Sequence, residues 1–222
     1  LKPESSDNLN AALNYDHYLG SDHRLSVEGG VLLRYAKDFI QKELKEPSMR
    51  YVNLGRVKTF GVEGGATYAF RRLFRVGGNL TWQNIRDDME FITVEGYVGA
   101  GQKKNFTYKD RLPNIPYLFG NATAGVRLYD LFFKRSWLTI DYDLNYVHAY
   151  FLSWPSLGSK DSKAVIPRQV AHNLSVGYSF GGGRYNMTVT GRNLANAKLY
   201  DNYLLQKPGR AFYLTLRYFM GS

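Results

Sequence analysis

The sequence predicts an all-β fold, a transmembrane antiparallel up-and-down β-barrel, on three observations. Apolar and polar residues alternate with a period of two along nine segments. The connections between these segments alternate between short and long. Charged residues gather on one side of the alternation. A soluble sandwich could also use such strands, with the apolar side in a dry core. The solvent on the apolar side is therefore the question the residues must answer.

The first segment is 9–18, where Leu9, Ala11, Leu13 and Tyr15 alternate with Asn10, Ala12, Asn14 and Asp16. In 25–36, Leu25, Val27, Gly29, Val31, Leu33 and Tyr35 oppose Ser26, Glu28, Gly30, Leu32 and Arg34. In 60–70, Val62, Ala66, Tyr68 and Phe70 oppose Glu63, Gly65 and Thr67. In 74–84, Val76, Leu80 and Trp82 oppose Arg75, Asn79, Thr81 and Gln83. In 118–128, Ala122, Ala124, Val126 and Leu128 oppose Asn121, Thr123 and Arg127. Segment 138–147 is the cleanest, with Leu138, Ile140, Tyr142, Leu144 and Tyr146 against Thr139, Asp141, Asp143 and Asn145. In 170–180, Leu174, Val176, Tyr178 and Phe180 oppose Asn173, Ser175 and Ser179, and 185–194 follows. The last segment, 211–220, sets Phe212, Leu214, Leu216, Tyr218 and Met220 against Tyr213, Thr215, Arg217 and Phe219. Each is close to the ~9–11 residues a tilted strand needs to cross a bilayer.

Short turns are expected at 20–22, 71–73, 129–135 and 181–184, where Gly, Asp and Arg suit tight hairpins. Long connections are expected at 41–54, 87–115, 150–167 and 195–208. This alternation places all short turns at one end, as in membrane barrels with short periplasmic turns and long extracellular loops. The polar side gathers Glu28, Glu63, Asp141, Asp143, Arg34, Arg75, Arg127, Arg192 and Arg217. So many charges would be ruinous in a dry core without complete pairing. They suit a wet or protein-plugged lumen, which assigns the apolar side to lipid.

Composition agrees. The 222 residues suffice for one large β domain, with 15% aromatic residues, 18 Tyr and 22 Gly. Mean hydropathy is −0.37, and no run reaches the roughly 18 apolar residues of a transmembrane helix. The absence of cysteine excludes disulfides and thiolate metal sites. A net charge of +10 points to an anionic partner or to scattered surface charge. Leu1-Lys2-Pro3-Glu4 carries no signal-peptide pattern and reads as the interior of a longer precursor.

Several motifs carry a resemblance: Leu1-Lys2-Pro3-Glu4-Ser5-Ser6, Thr59-Phe60-Gly61-Val62-Glu63, Arg111-Leu112-Pro113-Asn114-Ile115-Pro116, and a closing Arg192-Asn193-Leu194, Tyr200 and Pro208-Gly209-Arg210 before the final strand. In order and spacing they resemble the C-terminal part of the β-barrel of TonB-dependent outer-membrane receptors. The resemblance implies that residues 1–222 are the last nine strands of a 22-stranded barrel, with the plug and TonB box upstream. It implies import of a scarce ligand in the outer membrane of a Gram-negative bacterium, coupled to the TonB complex. A ferric siderophore or haem is the expected cargo, and no resident cofactor is implied. A SusC-like glycan importer and a passive porin or structural barrel are the alternatives. The resemblance also makes Phe212, Leu214, Leu216, Tyr218 and Met220 part of the signal read by the barrel-assembly machinery. One departure is visible: Met220 stands where the family usually ends on Phe, followed by Gly221-Ser222.

Candidate site residues fall in two groups. Glu28, Arg34, Glu63, Arg127, Asp141, Asp143, Arg192 and Arg217 are expected to face the lumen and plug. Tyr97, Lys103, Lys104, Tyr108, His148, Trp154, Tyr200 and Tyr203 are the loop candidates for ligand contact. Aromatics there could stack on a ligand or on one another. The basic–aromatic run 103–109 fits an anionic ligand or lipopolysaccharide at an extracellular loop better than nucleic acid. Asp141 and Asp143 could be read as acid–base carboxylates, about 7 Å apart on one strand face, but lumen polarity explains them without chemistry. The four histidines, His17, His23, His148 and His172, lack metal-ligand spacing. The run 96–103 nearly matches a phosphate loop, but Gln102 stands where Lys is required and no strand–helix context follows. No Ser/His/acid constellation appears, so no enzyme is expected.

Overall fold

The computed structural model describes residues 1–45, 48–93, 102–158 and 164–220. Its strands are β1 (Ser5–Leu19), β2 (His23–Lys45), β3 (Ser48–Phe70), β4 (Phe74–Asp87), β5 (Phe91–Thr93), β6 (Gln102–Lys104), β7 (Leu118–Tyr129), β8 (Trp137–Val147), β9 (Tyr150–Phe151), β10 (Val165–Ile166), β11 (Gln169–Phe180), β12 (Tyr185–Arg192) and β13 (Ala211–Tyr218). Nine of them form one sheet in the order β1-β2-β3-β4-β7-β8-β11-β12-β13. Every neighbouring pair is antiparallel. These are the nine strands the alternation predicts.

Three expectations about boundaries need correction. The connection expected at 41–54 is mostly strand, because β2 and β3 keep pairing from Lys37↔Arg56 up to Lys45↔Ser48. The connections at 87–115 and 150–167 hold small hairpins of their own, β5–β6 and β9–β10. The final strand ends at Tyr218 rather than at position 220. For β2 and β3 the alternation marked the part of the strand that meets two solvents, and backbone pairing extends beyond it.

The short turns take the conformations their residues allow. Gly20 (φ 66°), Arg71 (φ 51°) and Gly181, Gly182 and Gly183 (φ 63°, 69° and 89°) are all left-handed. The first two turns are tied together. Arg71 N donates to Asp22 O at 2.6 Å, and its guanidinium donates to Asp22 Oδ2 at 2.8 Å. That guanidinium holds the Asp22 carboxyl below its ordinary value. The pair therefore contributes fully above the unfolded carboxylate pKa of about 3.9 and is lost as pH falls through the lower folded value.

Register sorts the side chains onto two faces. One face carries Leu13, Val31, Val62, Leu80, Ile140, Val176, Met187, Val189, Leu214 and Leu216, on eight different strands. Leu13 is 76% and Leu216 70% exposed, so none of the described residues covers this apolar surface. Water is the wrong solvent for a contiguous apolar face of this size. Aromatic rows bound it. At the short-turn end the Phe180 and Tyr185 rings stack at 4.9 Å and Tyr185 meets Tyr218 at 5.1 Å. At the other end Phe60 and Trp82 pack edge-on at 5.8 Å. From Phe60 to Phe70 the strand rises about 33 Å at ~3.3 Å per residue, or about 25 Å across a bilayer at a tilt of ~40°. That matches the apolar belt of a membrane barrel.

Close strand approach depends on glycine at one point. A Cβ on Gly120 would lie 2.2 Å from Asn79 O, on the neighbouring strand β4. Gly120→Val is expected to cost about 1–3 kcal/mol by overpacking, read as a lower temperature at which the folded receptor loses SDS resistance. An unchanged midpoint would contradict the packing. A second expectation follows from the sheet edges: β1 and β13 each pair on one side only. Residues 1–222 expressed alone should therefore aggregate through these edges. A soluble monomer, or a heat-modifiable band on gels, would disprove this.

Candidate functional site

The second face of the sheet is polar, and it is concave enough to hold a trough. Asn14, Asp16, Arg24, Glu28, Arg75, Asn79, Asn121 and Thr123 line it, from β1, β2, β3's neighbour β4, and β7. Register puts Glu28, Arg34, Glu63, Arg127, Asp141, Asp143, Arg192 and Arg217 on this same face. Several carboxylates lie flat against the wall where the opposite strand has no side chain. Glu28 faces Gly65 and Glu63 faces Gly30, and a Cβ on either glycine would approach the glutamate's Oε1 within 2.8 Å and 3.1 Å respectively. Asp141 sits the same way over Gly125, at 2.8 Å.

The two aspartates of β8 do not act as a pair. Asp143 accepts from Asn145 and from Asn173 Nδ2, the latter at 2.8 Å, while Asp141 borders a depression with Arg71, Arg75 and Arg127. Arg34 forms an ion pair with Glu4, and its guanidinium lies 5.8 Å from the Phe39 ring centre. Arg192 lies over Tyr213 at 5.3 Å and Arg217 over Phe219 at 5.9 Å. The inner face is thus a mixed-charge surface.

At the long-loop end the inner face becomes apolar and buried. Ala36, Val57 and Leu112 form a small core, joined by Phe39, Leu54, Ile85, Ile115 and Trp154. Leu112 belongs to the 105–117 segment, which continues the wall alongside β4: Leu112 N donates to Ile85 O at 3.0 Å and Asp87 N to Asp110 O at 3.0 Å. Trp154 arrives from the next connection, just before a 3₁₀ turn at Pro155–Leu157. Asp110 holds that turn, accepting from Ser156 N at 2.7 Å and Ser156 Oγ at 2.8 Å. Asn114 (φ 63°) donates its backbone N–H to Phe151 O at 2.9 Å. Its carboxamide, oriented to suit its acceptors, donates to Leu152 O and Asn202 O at 3.0 Å each. Tyr150 donates to Asn202 Oδ1 at 3.2 Å, and burial together with the Asp201 carboxylate pushes its hydroxyl pKa up. Three connections are therefore clasped into one cluster through 105–117, 148–158 and 195–210.

Asp87 anchors the base of the cluster. It is 3% exposed and accepts from Thr107 Oγ1 at 2.6 Å, Asn105 Nδ2 at 2.8 Å and Met89 N at 2.9 Å. Asp87, Asp110, Asn114, Tyr150 and Asn202 were not among the candidates from sequence. Asn114 alone carried a signal, as Asn after Pro in a turn that demands positive φ.

The loop candidates separate. Trp154 is built into the apolar core, and Tyr200 is fixed through its N–H to Gln169 Oε1 at 2.6 Å. Tyr203 N donates to Asp201 Oδ1 at 2.8 Å. Lys103 and Lys104 lie exposed on β6, with Lys103 Nζ 5.4 Å from the Phe106 ring centre. Tyr108 carries Lys109 Nζ over its ring at 4.6 Å. Tyr97 lies outside the described residues, as does most of the 96–103 run. His148 is not part of the cluster: its N–H continues the ladder to Leu118 O at 2.9 Å, on the register of the outward face. There Nδ1 meets Tyr146 OH at 2.7 Å. The other histidines behave alike, each with Nδ1 against a tyrosine hydroxyl: His17 with Tyr15 at 3.2 Å, His23 with Tyr68 and His172 with Tyr142 at 2.7 Å each. All four sit on the outward face. Among the described residues no group of His, Asp and Glu could hold a metal ion.

An apolar outward belt and a charged inner face are those of a membrane-barrel wall. The chain belongs to the TonB dependent receptor-like β-barrel family, whose sequence profile matches residues 1–196. Among curated proteins none matches the sequence. Among solved structures it is similar to the copper transporter OprC, with a TM-score of 0.66 at 16% identity over 97% of this chain and 31% of that one. The FrpB iron transporter from Neisseria meningitidis gives 0.65 at 17% identity, over 98% and 30%. The siderophore receptor PirA from Acinetobacter baumannii gives 0.62 at 18% identity, over 98% and 32%. The chain thus spans about a third of the length of each.

Removing the Asp110 carboxylate should loosen the cluster. Asp110→Ala in the whole receptor is expected to weaken docking of the 148–168 connection by about 1–3 kcal/mol. Limited proteolysis should then cut that connection faster, with the wall still intact. Equal cleavage rates would remove Asp110 from this role.

Proposed function

We propose that this chain is the C-terminal part of an outer-membrane receptor in a Gram-negative bacterium. The receptor imports a scarce ligand by TonB-coupled active transport, with a ferric siderophore or haem as cargo. The clasped loop cluster above a charged inner face carries this reading. Loops bound to one another by Asn114, Tyr150 and Asp110 form a preorganised surface, and preorganisation lowers the cost of ligand binding. The similar structures, a copper transporter, an iron transporter and a siderophore receptor, support a metal or metal-chelate cargo.

In this reading Glu28, Arg34, Glu63, Arg127, Asp141, Asp143, Arg192 and Arg217 form the wall that an upstream plug packs against. Mixed charges let the plug bind through water and move when pulled. Phe212, Leu214, Leu216, Tyr218 and Met220 present the closing strand to the assembly machinery. The chain binds and passes its ligand without transforming it.

Uptake decides the cargo. A strain lacking the receptor, grown under iron limitation, should lose uptake of one labelled ferric siderophore or of haem, and the whole gene should restore it. Undiminished uptake of every chelate and of haem would overturn the iron reading. A large, permanently open conductance of the receptor in liposomes would overturn the plugged-importer reading.

A further inference from the structure

The four short turns are joined into one rim. Arg71 ties the β3–β4 turn to Asp22 of the β1–β2 turn. Arg127 N donates to Leu73 O at 2.7 Å, which binds β7 to the β3–β4 turn. The β7–β8 turn closes on itself, through Asp130 N to Ser136 O at 2.8 Å and Arg135 N to Asp130 Oδ1 at 2.6 Å. Gly182 N then donates to Arg135 O at 3.1 Å, and Phe219 N to Arg184 O at 2.9 Å. Glycine permits the joint to the β11–β12 turn. A Cβ on Gly182 would lie 3.0 Å from the Arg135 guanidinium, and one on Gly183 2.8 Å from the Trp137 ring. The rim is therefore a fixed frame rather than a row of independent loops.

This frame carries charge that it does not use. Arg72, Lys134, Arg135 and Arg184 are exposed. Among the described residues none of these four is in an ion pair. The acidic residues of the turns are already engaged, Asp22 by Arg71 and Asp130 by the Arg135 N–H. Leu131 and Phe133, 45% and 63% exposed, stand in the same turn as Lys134 and Arg135. The β3–β4, β7–β8 and β11–β12 turns follow one another two strands apart in the sheet. Their cations therefore recur about every 10 Å along the rim. That interval is close to the screening length of about 8 Å at physiological salt, so the cations act together on a long anion and repel one another little.

We infer that the rim binds the cell-wall glycan, peptidoglycan, a saccharide polymer whose peptide stems carry carboxylates at regular intervals. Guanidinium and ammonium groups pair with the stem carboxylates. Leu131 and Phe133 offer an apolar surface to the faces of the sugar rings. A polymer with charges at a set interval suits cations held at a set interval. Lipid headgroups diffuse singly and require no such frame. A rim bound to the wall also keeps the barrel in place while the plug is pulled. The inference rests on the proposed function for one point, that the short turns face the periplasm, and it stands whatever the cargo is.

Sedimentation of the whole receptor, in mild detergent, with purified cell-wall sacculi supplies the test. Wild type should sediment with the sacculi. Arg72→Gln/Lys134→Gln/Arg135→Gln/Arg184→Gln should bind at least about tenfold more weakly. Arg56→Gln/Lys58→Gln/Lys198→Gln/Lys207→Gln, which removes as many cations away from the rim, should bind within about twofold of wild type. If the rim variant does not fold, Lys134→Gln/Arg184→Gln should lose about threefold. Sacculi with amidated carboxylates should bind wild type no better than intact sacculi bind the rim variant. Equal sedimentation of wild type and the rim variant would overturn the site. Undiminished binding to amidated sacculi would overturn the carboxylates as its target, and full displacement by phosphatidylglycerol would overturn the cell wall as its occupant. Uptake is not the readout, so failed sedimentation leaves the importer standing, and failed uptake leaves the rim standing.

Discussion

A bilayer offers a backbone no hydrogen-bond partner, and the whole structure answers that constraint. Each unsatisfied N–H or C=O in hydrocarbon costs several kcal/mol. The wall therefore pairs every strand with its chain neighbours, and the sheet order follows the sequence apart from the small hairpins in the loops. Antiparallel neighbours need only short links. Left-handed residues at Gly20, Arg71 and Gly181 to Gly183 supply them at one end of the sheet. The long connections can then all lie at the other end and carry the specific chemistry.

The ladder also fixes chemistry through register. Side chains alternate strictly, so a slip of one residue would carry Glu28, Glu63 and Asp141 into lipid. The glycines opposite these carboxylates reinforce the chosen register. Gly65, Gly30 and Gly125 leave the space in which Glu28, Glu63 and Asp141 lie against the wall. The same positions would be crowded on a strand carrying ordinary side chains. Charge on the inner face is therefore supported by shape as well as by solvent.

The wall was legible in the sequence because two solvents imprint a period of two on every strand they both touch. All nine strands and the common face of the eight inner charged residues follow from that imprint. The upper halves of β2 and β3 were not legible. Asp38 (φ 51°) interrupts the alternation there, and Phe39 and Leu54 pack into the inner core although they lie on an exposed hairpin. The loop cluster was less legible still. Asp87, Asp110 and Asn202 act through backbone and amide contacts that any polar loop could contain, and no period announces them. His148 shows the converse: read as a loop residue, it belongs to the outward girdle because its backbone continues β8's ladder by one more bond.

Strand length alone does not say where the membrane ends. β2 and β3 are each 23 residues long, about 75 Å of extended chain, more than twice what a bilayer crossing needs. Residue chemistry sets the boundary instead. Phe60 and Trp82 mark the last level at which the outward face is apolar, and Lys58 and Arg86 mark the first at which it is charged. Higher still, Asp38 has a left-handed backbone within the continuing ladder, and Met89 lies over Gly55 on the facing strand, in space a side chain there would fill. The step from Phe60 and Trp82 to Lys58 and Arg86 is therefore the level at which the outward face of the sheet changes from apolar to charged.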